Sequence, residues 1–406
     1  MSRYRWTILA VGTGAQACFA IVSAGLPAVA PALRSDYRLS IREVGVVLAA
    51  VLLGMLVTLL PWGVAADRIG ERTVIAIGLA GAGVAMVATA WTTTLPWLVV
   101  GLFVAGLSGA SVNAASGRAV MGWFGPESRG VALGIRTTAI PLGGAIGAAV
   151  LPSLANAGGT KLAFLALGGA CLAGAVAGAI WIRDPVRPHA ETAAVPPGRP
   201  PLRDREMWLL STGSSLYVVA QLSLIGFAVL FLHVHRGVSA GAAAALLAVM
   251  NVFGAAARVV AGRLSDRIET RLAPLRLLGL VLACATAFTA ALVDAPLAAL
   301  LPTIFVAGVL SQSWNGLSFT AAAETAGAAR AGAALGLQQT MLAVAGAAVP
   351  IAFAATVEAT SWRIAFVVAA LAPLAGYLTL RKVGEPARHE RAAATLAARA
   401  AAETPQ

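Results

Sequence analysis

Charge is what this chain has least of. Asp, Glu, Lys and Arg make up 11% of its 406 residues, against about 25% in an average soluble domain. So few charges cannot cover the surface of a soluble protein of this length. Cysteine is also scarce. Cys18, Cys171 and Cys284 are an odd set scattered through apolar stretches, which fits neither a disulfide framework nor a metal site. They read as small packing residues. The chain has four histidines and no H-E-x-x-H, no G-x-S-x-G, no phosphate-cradling loop and no His/Cys cluster. No catalytic constellation, metal site, cofactor or direct ATP drive is therefore expected. Acidic residues are missing from the interior of every apolar run, and Trp6–Leu33 has none at all.

Apolar side chains are abundant. They form 59% of the sequence, mean hydropathy is +0.84, and 43 glycines accompany them. Small residues in such number suit transmembrane helices, which need close backbone approach because no hydrophobic drive pulls them together in lipid. A bilayer core takes about 20 apolar residues per helix. Twelve stretches qualify: 6–33, 41–66, 73–92, 96–121, 130–155 and 162–182, then 207–235, 240–262, 275–294, 296–322, 332–358 and 362–380. The expected fold is an all-α membrane protein of two six-helix bundles, 1–182 and 207–383. Between them lies 183–206, with Pro185, Pro188, Pro196, Pro197, Pro200, Pro201 and five arginines, a solvated linker. The Ala-rich, polar segment 384–406 forms a tail. The first stretch is too long for a cleaved leader and ends in no A-x-A-like cleavage site.

The net charge is +12 and the pI about 11.0. No aromatic-interleaved basic patch accompanies it, so nucleic acid is not the expected partner. The basic residues instead report topology. Arg34, Arg38, Arg42, Lys161, Arg236 and Arg363 fall on one side; Arg118, Arg136 and Arg258 fall within spans, leaving 20 of the 29 on the other side. That bias predicts that both termini are cytoplasmic, in an inner (plasma) membrane.

Two stretches repeat one signature. Gly63-Val64-Ala65-Ala66-Asp67-Arg68-Ile69-Gly70 reads G-x-x-x-D-R-x-G, and Gly262-Arg263-Leu264-Ser265-Asp266-Arg267 repeats its first half 199 positions later. Ser111-Val112-Asn113 matches Ser313-Trp314-Asn315, and Gly134–Thr138 matches Gly336–Thr340, both with an offset of 202. Parallel six-helix repeats place a substrate site at their interface near the bilayer midplane.

On these residues the chain resembles the major facilitator superfamily, over essentially its whole length. The most specific element is Gly63-x-x-x-Asp67-Arg68-x-Gly70-Glu71-Arg72, close to the family's G-x-x-x-D-R-x-G-R-K pattern, with Glu71 where a basic residue is usual. Ala139-Ile140-Pro141-Leu142-Gly143-Gly144 is similar to the family's G-P-x-G-G element, with Ala at its first Gly. The resemblance implies a secondary transporter that works by alternating access as a monomer. It also implies a gate built from Gly63, Asp67, Arg68, Gly70, Arg72, Gly262, Asp266 and Arg267. Asp67 would meet the start of the eleventh span and Asp266 the start of the fifth, where helix N-termini carry partial positive charge. Such contacts would form when the cytoplasmic side is shut.

A charge at a helix centre costs roughly 2.5–3.5 kcal/mol, so the intramembrane arginines are the leading site candidates. Arg258 lies eight residues before Asp266, roughly 12 Å up its helix, with Asn251 on the same face. Nitrate/nitrite and monocarboxylate carriers of the superfamily place an arginine similarly. Arg136 lies in the fifth span and Arg118 near the end of the fourth. Polar partners come from Gln16, Asn113, Tyr217, Gln221, Gln312, Asn315 and Gln338, since a small-ligand site needs a few convergent polar groups in an apolar cleft. His233, near the outer end of the seventh span, can titrate near neutral pH.

The reading that follows is a carrier for a small organic anion such as a monocarboxylate, proton-linked. Efflux of drugs or hydrophobic compounds by proton antiport and carriage of nitrate or cyanate are the alternatives. The first would call for cavity acids. The second would call for an arginine in the second span, where Thr58-Leu59-Leu60-Pro61-Trp62 has none.

Overall fold

In a computed structural model, residues 4–124, 132, 135–184, 201–268, 270–326 and 330–384 are described; within them, nothing is said of the side chains of Asp67 and Arg118. The described residues are helical, with no strand among them. Helices α1 (Tyr4–Gly25), a 3-10 turn (Leu26–Val29) and α2 (Ala30–Asp36) form the first crossing. Then come α3 (Ile41–Ile69), α4 (Glu71–Thr89), α5 (Leu95–Trp123) and α6 (Ala139–Trp181). The second half runs α7 (Arg205–Val234), α8 (Ala240–Arg267), α9 (Leu272–Ala291), α10 (Leu297–Ser313), α11 (Asn315–Ala326), α12 (Ala331–Ala359) and α13 (Trp362–Leu380).

Eleven of the helical segments are long and apolar enough to cross a membrane. At 43 residues, α6 is about 65 Å long at 1.5 Å per residue, twice a bilayer core. It breaks at Gly158 and Gly159, whose φ of 66° is the left-handed conformation that glycine adopts without strain. Its two limbs are the expected fifth and sixth spans. The second limb's exposed N-terminus is capped from another helix: the Thr160 amide donates to Asp36 Oδ2 at 3.0 Å. Prolines place the other breaks. Pro27 and Pro31 sit where α1 yields to the 3-10 turn and then to α2, as a residue lacking an N–H and clashing with the preceding turn requires. The tenth crossing bends at Trp314, between α10 and α11, which periodicity did not indicate.

Small residues set the helix spacing. A Cβ built on Gly25 would lie 3.0 Å from Gly147 Cα, and one on Gly147 would lie 2.6 Å from Gly25 Cα. Thus α1 and α6 pack backbone to backbone at this crossing. A Cβ on Gly143 would meet Ala20 Cβ at 2.6 Å, and one on Gly144 would meet Asn251 Nδ2 at 3.2 Å. The Gly143-Gly144 pair therefore marks the point where α1, α6 and α8 cross. Gly143 serves its own half, and Gly144 meets both Ala24 of its own half and Asn251 across the interface.

The halves meet along two helix pairs, α3 with α12 and α6 with α8. At the face opposite the termini they are closed. The Arg42 amide donates to Glu358 Oε2 at 3.0 Å, and Gly45 lies against Pro350 and Ala354. The 3-10 turn and α2 pack on α7 there. Toward the face that carries the termini, a Cβ on Gly262, Gly332 or Gly336 would meet nothing within 4 Å among the described residues. The described residues are shut together on one face and leave open space beside these glycines on the other.

Candidate functional site

Two polar clusters sit between apolar helix faces, one in each half. In the first half, Arg136 is the hub. Its Nε and Nη2 donate to Ser116 Oγ at 3.0 and 2.8 Å, and Nη2 also reaches Gln16 Oε1 at 3.1 Å and the Asn113 carbonyl at 3.3 Å. Gln16 Nε2 in turn donates to Asn113 Oδ1 at 2.8 Å. Helices α1, α5 and the segment just before α6 are thus joined through one guanidinium, whose fan of five donors can serve several acceptors at once.

The second half places neutral residues at the corresponding positions. Asn315, Ser318 and Gln338 stand 202 positions after Asn113, Ser116 and Arg136. Gln338 Nε2 donates to Ser318 Oγ, and Ser318 Oγ to Ser214 Oγ at 2.6 Å. Asn315 Nδ2 donates to Gln221 Oε1 at 3.3 Å. The pseudo-twofold relation extends from sequence to hydrogen bonding, and the substitution of Gln338 for Arg136 makes the site electrically lopsided. Ser116 and Ser318 were not singled out from the sequence, although their shared offset of 202 was there to find.

Arg258 joins the halves. From α8 its Nε donates to the Gln312 carbonyl at 3.1 Å, within its own half, and its Nη1 to the Thr137 carbonyl at 3.4 Å, in the other half and one residue past Arg136. Gln312 Nε2 donates to the Met250 carbonyl at 3.3 Å. Asn251, one residue further on, is buried against Gly144, and its Nδ2 has no hydrogen-bond partner. Gln338 Oε1 is a second buried orphan. Arg136 and Arg258 are both partly buried. Among the described residues both are bonded to neutral oxygens only, and neither has a carboxylate partner. Two cations in an apolar wall without an acid between them leave a positive field at the junction of the halves.

Of the residues expected at the site, the structure brings together Gln16, Asn113 and Arg136 in one half, Gln221, Gln312, Asn315 and Gln338 in the other, and Arg258 with Asn251 at the seam. Tyr217 stands apart. It is fully buried, its hydroxyl donates to the Leu275 carbonyl at 3.2 Å, and its ring meets Trp314 edge-on at 5.6 Å. It is held among α7, α9 and α13, where Cβ atoms on Gly279 and Gly376 would collide with it. Trp62 serves packing too, its indole N–H donating to the Leu107 carbonyl at 2.7 Å.

The start of the fifth span, the expected partner of Asp266, lies largely outside the described residues. Among the described residues Asp266 is engaged within its own half. Its Oδ1 accepts from Arg271 Nη1 at 2.5 Å, and Arg271 Nε donates to Glu324 Oε1 at 3.0 Å. Burial works against the Arg271 charge, yet the hydrogen bonds and charges of Asp266 and Glu324 outweigh it and raise its pKa. The carboxylate is taken by Arg271 rather than by Arg267 or Arg263, which lie nearer along the chain. Gly70, at φ 85°, packs on Asp184, whose Oδ1 accepts the Arg72 amide at 3.0 Å, while Arg72 Nε donates to the Ala179 carbonyl at 2.7 Å. Asp184 thus caps α4, a role that its place in the linker region did not suggest. Gly63 and Arg68 lie on the last turns of α3, and Gly262 and Arg267 on those of α8. The side chains of Asp67 and Arg118 lie outside the described ones.

Comparison with known proteins agrees with this architecture. The chain is 34% identical over 374 residues to an uncharacterized MFS-type transporter of Mycobacterium tuberculosis, covering 91% of this chain and 83% of that protein. It is 27% identical over 359 residues to a probable sulfoacetate transporter of Cupriavidus necator, covering 82% of each. Among solved structures, a D-xylose–proton symporter superposes with a TM-score of 0.77 at 16% identity, over 94% of this chain and 98% of that one. Residues 13–350 match the sequence profile of the Major Facilitator Superfamily. This chain is a multi-pass membrane transporter belonging to that family.

Proposed function

We propose that this transporter carries a small organic anion, of the monocarboxylate kind, across the inner (plasma) membrane by alternating access, with Arg136 and Arg258 as the cations that hold it. The observation that carries the reading is that both arginines lie in apolar helices and, among the described residues, contact only neutral oxygens. A charge kept there at a cost of roughly 2.5–3.5 kcal/mol calls for a role, and an anionic cargo supplies the missing counter-charge. Gln16, Asn113, Asn251, Gln312, Asn315 and Gln338 supply neutral hydrogen-bonding groups around it, and two of their atoms, Asn251 Nδ2 and Gln338 Oε1, await partners. The sulfoacetate named for one relative carries two acidic groups, which fits a site with two cations.

The anion would bridge the halves, since Arg136 belongs to one and Arg258 to the other. Arg258 already touches the Thr137 carbonyl, and exchanging that carbonyl for a carboxylate would couple binding to movement of α8 against α6. Asp67 and Asp266 would shut the face bearing the termini in the alternate state, Asp266 leaving Arg271 to do so. A weak acid could carry its own proton, which gives proton linkage without a membrane carboxylate. Both termini are assigned to the cytoplasm on the arginine and lysine bias, and the single chain encloses the site.

The test is a thermal-shift screen of the purified protein against small carboxylates, inorganic anions and lipophilic cations, repeated in Arg136→Ala and Arg258→Ala. A ligand that binds only the folded state raises its apparent stability by mass action. Stabilisation by a carboxylate, reduced in either variant, is the expected result. Stabilisation by cations alone, unchanged in both variants, would overturn the reading in favour of a cation exporter.

A further inference from the structure

A cavity of about 520 Å³ opens on the face opposite the termini, between α2 of the first half and the end of α7 in the second, and Arg34, Ser35, Arg38 and His233 line it. It lies at the shut end of the crossing, far along α7 from the Gln221–Asn315 contact. Its charges are one-sided. The four acids of this face are engaged elsewhere: Asp36 with the Thr160 amide, Glu43 in the capping box of α3, Asp294 with His235 and Arg363, and Glu358 with the Arg42 amide. Two other cations of the face have partners, although Arg236 Nε is unpartnered. Arg236 donates to the Ala295 carbonyl at 2.5 Å, and Lys161 stands over the Trp91 ring at 5.0 Å.

Arg34 is half-buried and Arg38 exposed. Among the described residues neither side chain makes a hydrogen bond or has an acid partner, and Arg34 Nε is buried with nothing to donate to. A buried donor left unmade costs the full desolvation of the group. The backbone holds them there against further resistance. Arg38 is the one non-glycine described residue with positive φ, at 54°, a conformation that disfavours any residue bearing a Cβ. His233 faces them from the other half, its Nδ1 2.9 Å from the Val238 carbonyl, which leaves Nε2 for the cavity.

We propose that this vestibule is a second anion site, in which Arg34 and Arg38 hold a small carboxylate at the closed face, outside the central site. The missing acceptor for Arg34 Nε, the uncompensated charge and the volume all fit a carboxylate on one or both guanidiniums, a pairing whose planar geometry favours two parallel hydrogen bonds. Seated between α2 and α7, the anion would tie the halves on that face. Only the choice of a carboxylate rests on the central-site reading; the vestibule itself stands on its own residues.

Phenylglyoxal modification of the purified full-length protein, mapped by peptide mass spectrometry, tests this with benzoate as the probe. Benzoate at ten times its Kd should slow modification of Arg34 and Arg38 about tenfold, since occupancy follows mass action. The rate at Arg363, paired with Asp294 at 3.0 Å, should not change. The same protection should persist in Arg258→Gln, and Arg34→Gln should remove it at Arg38. Equal rates at Arg34 and Arg38 with and without benzoate would overturn the proposal. So would protection that vanishes in Arg258→Gln, because it would then belong to the central site. Protection at Arg34 and Arg38 together with total benzoate binding that is the same in the natural chain and in Arg258→Gln would leave the vestibule standing and sink the central assignment instead.

Discussion

Replacing Arg258 by glutamine separates a ligand-binding role from a structural one. Arg258 makes one bond of 3.1 Å to the Gln312 carbonyl and one of 3.4 Å to the Thr137 carbonyl. The second is long for an N–H···O bond, and a glutamine amide can keep the first. Removing the charge relieves a burial cost of roughly 2.5–3.5 kcal/mol, which offsets what the lost contacts contributed. The ligand-free protein should therefore not melt earlier. Binding should suffer. A hydrogen bond to a charged group contributes about 1.5–3 kcal/mol, and each 1.4 kcal/mol is tenfold, so Kd for a small carboxylate should rise about 10- to 150-fold. The assay is equilibrium binding of labelled 4-hydroxybenzoate or sulfoacetate to detergent-purified protein, with a melting curve of the same preparation. Unchanged affinity, or an affinity loss matched by a comparable fall in ligand-free melting temperature, would refute the reasoning and make Arg258 a strut.

Other consequences follow from the same contacts. Arg136→Lys keeps the charge but cannot serve Ser116, Gln16 and the Asn113 carbonyl together, so uptake into proteoliposomes should fall by at least the roughly tenfold that one charged bond is worth. Gly144→Leu puts a side chain where a Cβ already meets Asn251 Nδ2 at 3.2 Å; overpacking of about 1–3 kcal/mol should lower the melting temperature and, by wedging α6 from α8, slow transport more than binding. Gly159→Ala forces a Cβ onto φ 66° and should cost about 1–2 kcal/mol, read as earlier melting with ligand affinity intact. Asp184→Ala removes the cap on α4 and should cost about 0.5–2 kcal/mol, again without an effect on affinity.

Most of the scaffold was legible in the residues, because the bilayer restricts what can cross it. Apolar runs of the right length and a repeat offset of 202 predicted two related bundles, and hydrogen bonds tie Asn113 and Arg136 into one cluster, while their counterparts Asn315 and Gln338 bond separately to Gln221 and Ser318. The intramembrane arginines announced themselves by the cost of burying charge. Partner choice was less readable. Asp266 was expected at a helix N-terminus in the other half, most of which lies outside the described residues, and among those described it is paired with Arg271, five residues away. Tyr217 shares a helical face with Gln221, yet Gly279 and Gly376 open a pocket that its ring fills; pairwise fits of this kind leave no periodic trace. The bend at Trp314 and the capping by Asp184 depend on neighbours distant in sequence for the same reason.

The most direct test of the central claim is counterflow in proteoliposomes. Vesicles loaded with unlabelled 4-hydroxybenzoate or sulfoacetate and diluted into the labelled compound should accumulate label with the natural chain and fail to do so with Arg136→Gln/Arg258→Gln, while tetraphenylphosphonium should not be exchanged by either. Exchange of the cation, or carboxylate counterflow that survives loss of both arginines, would contradict the account.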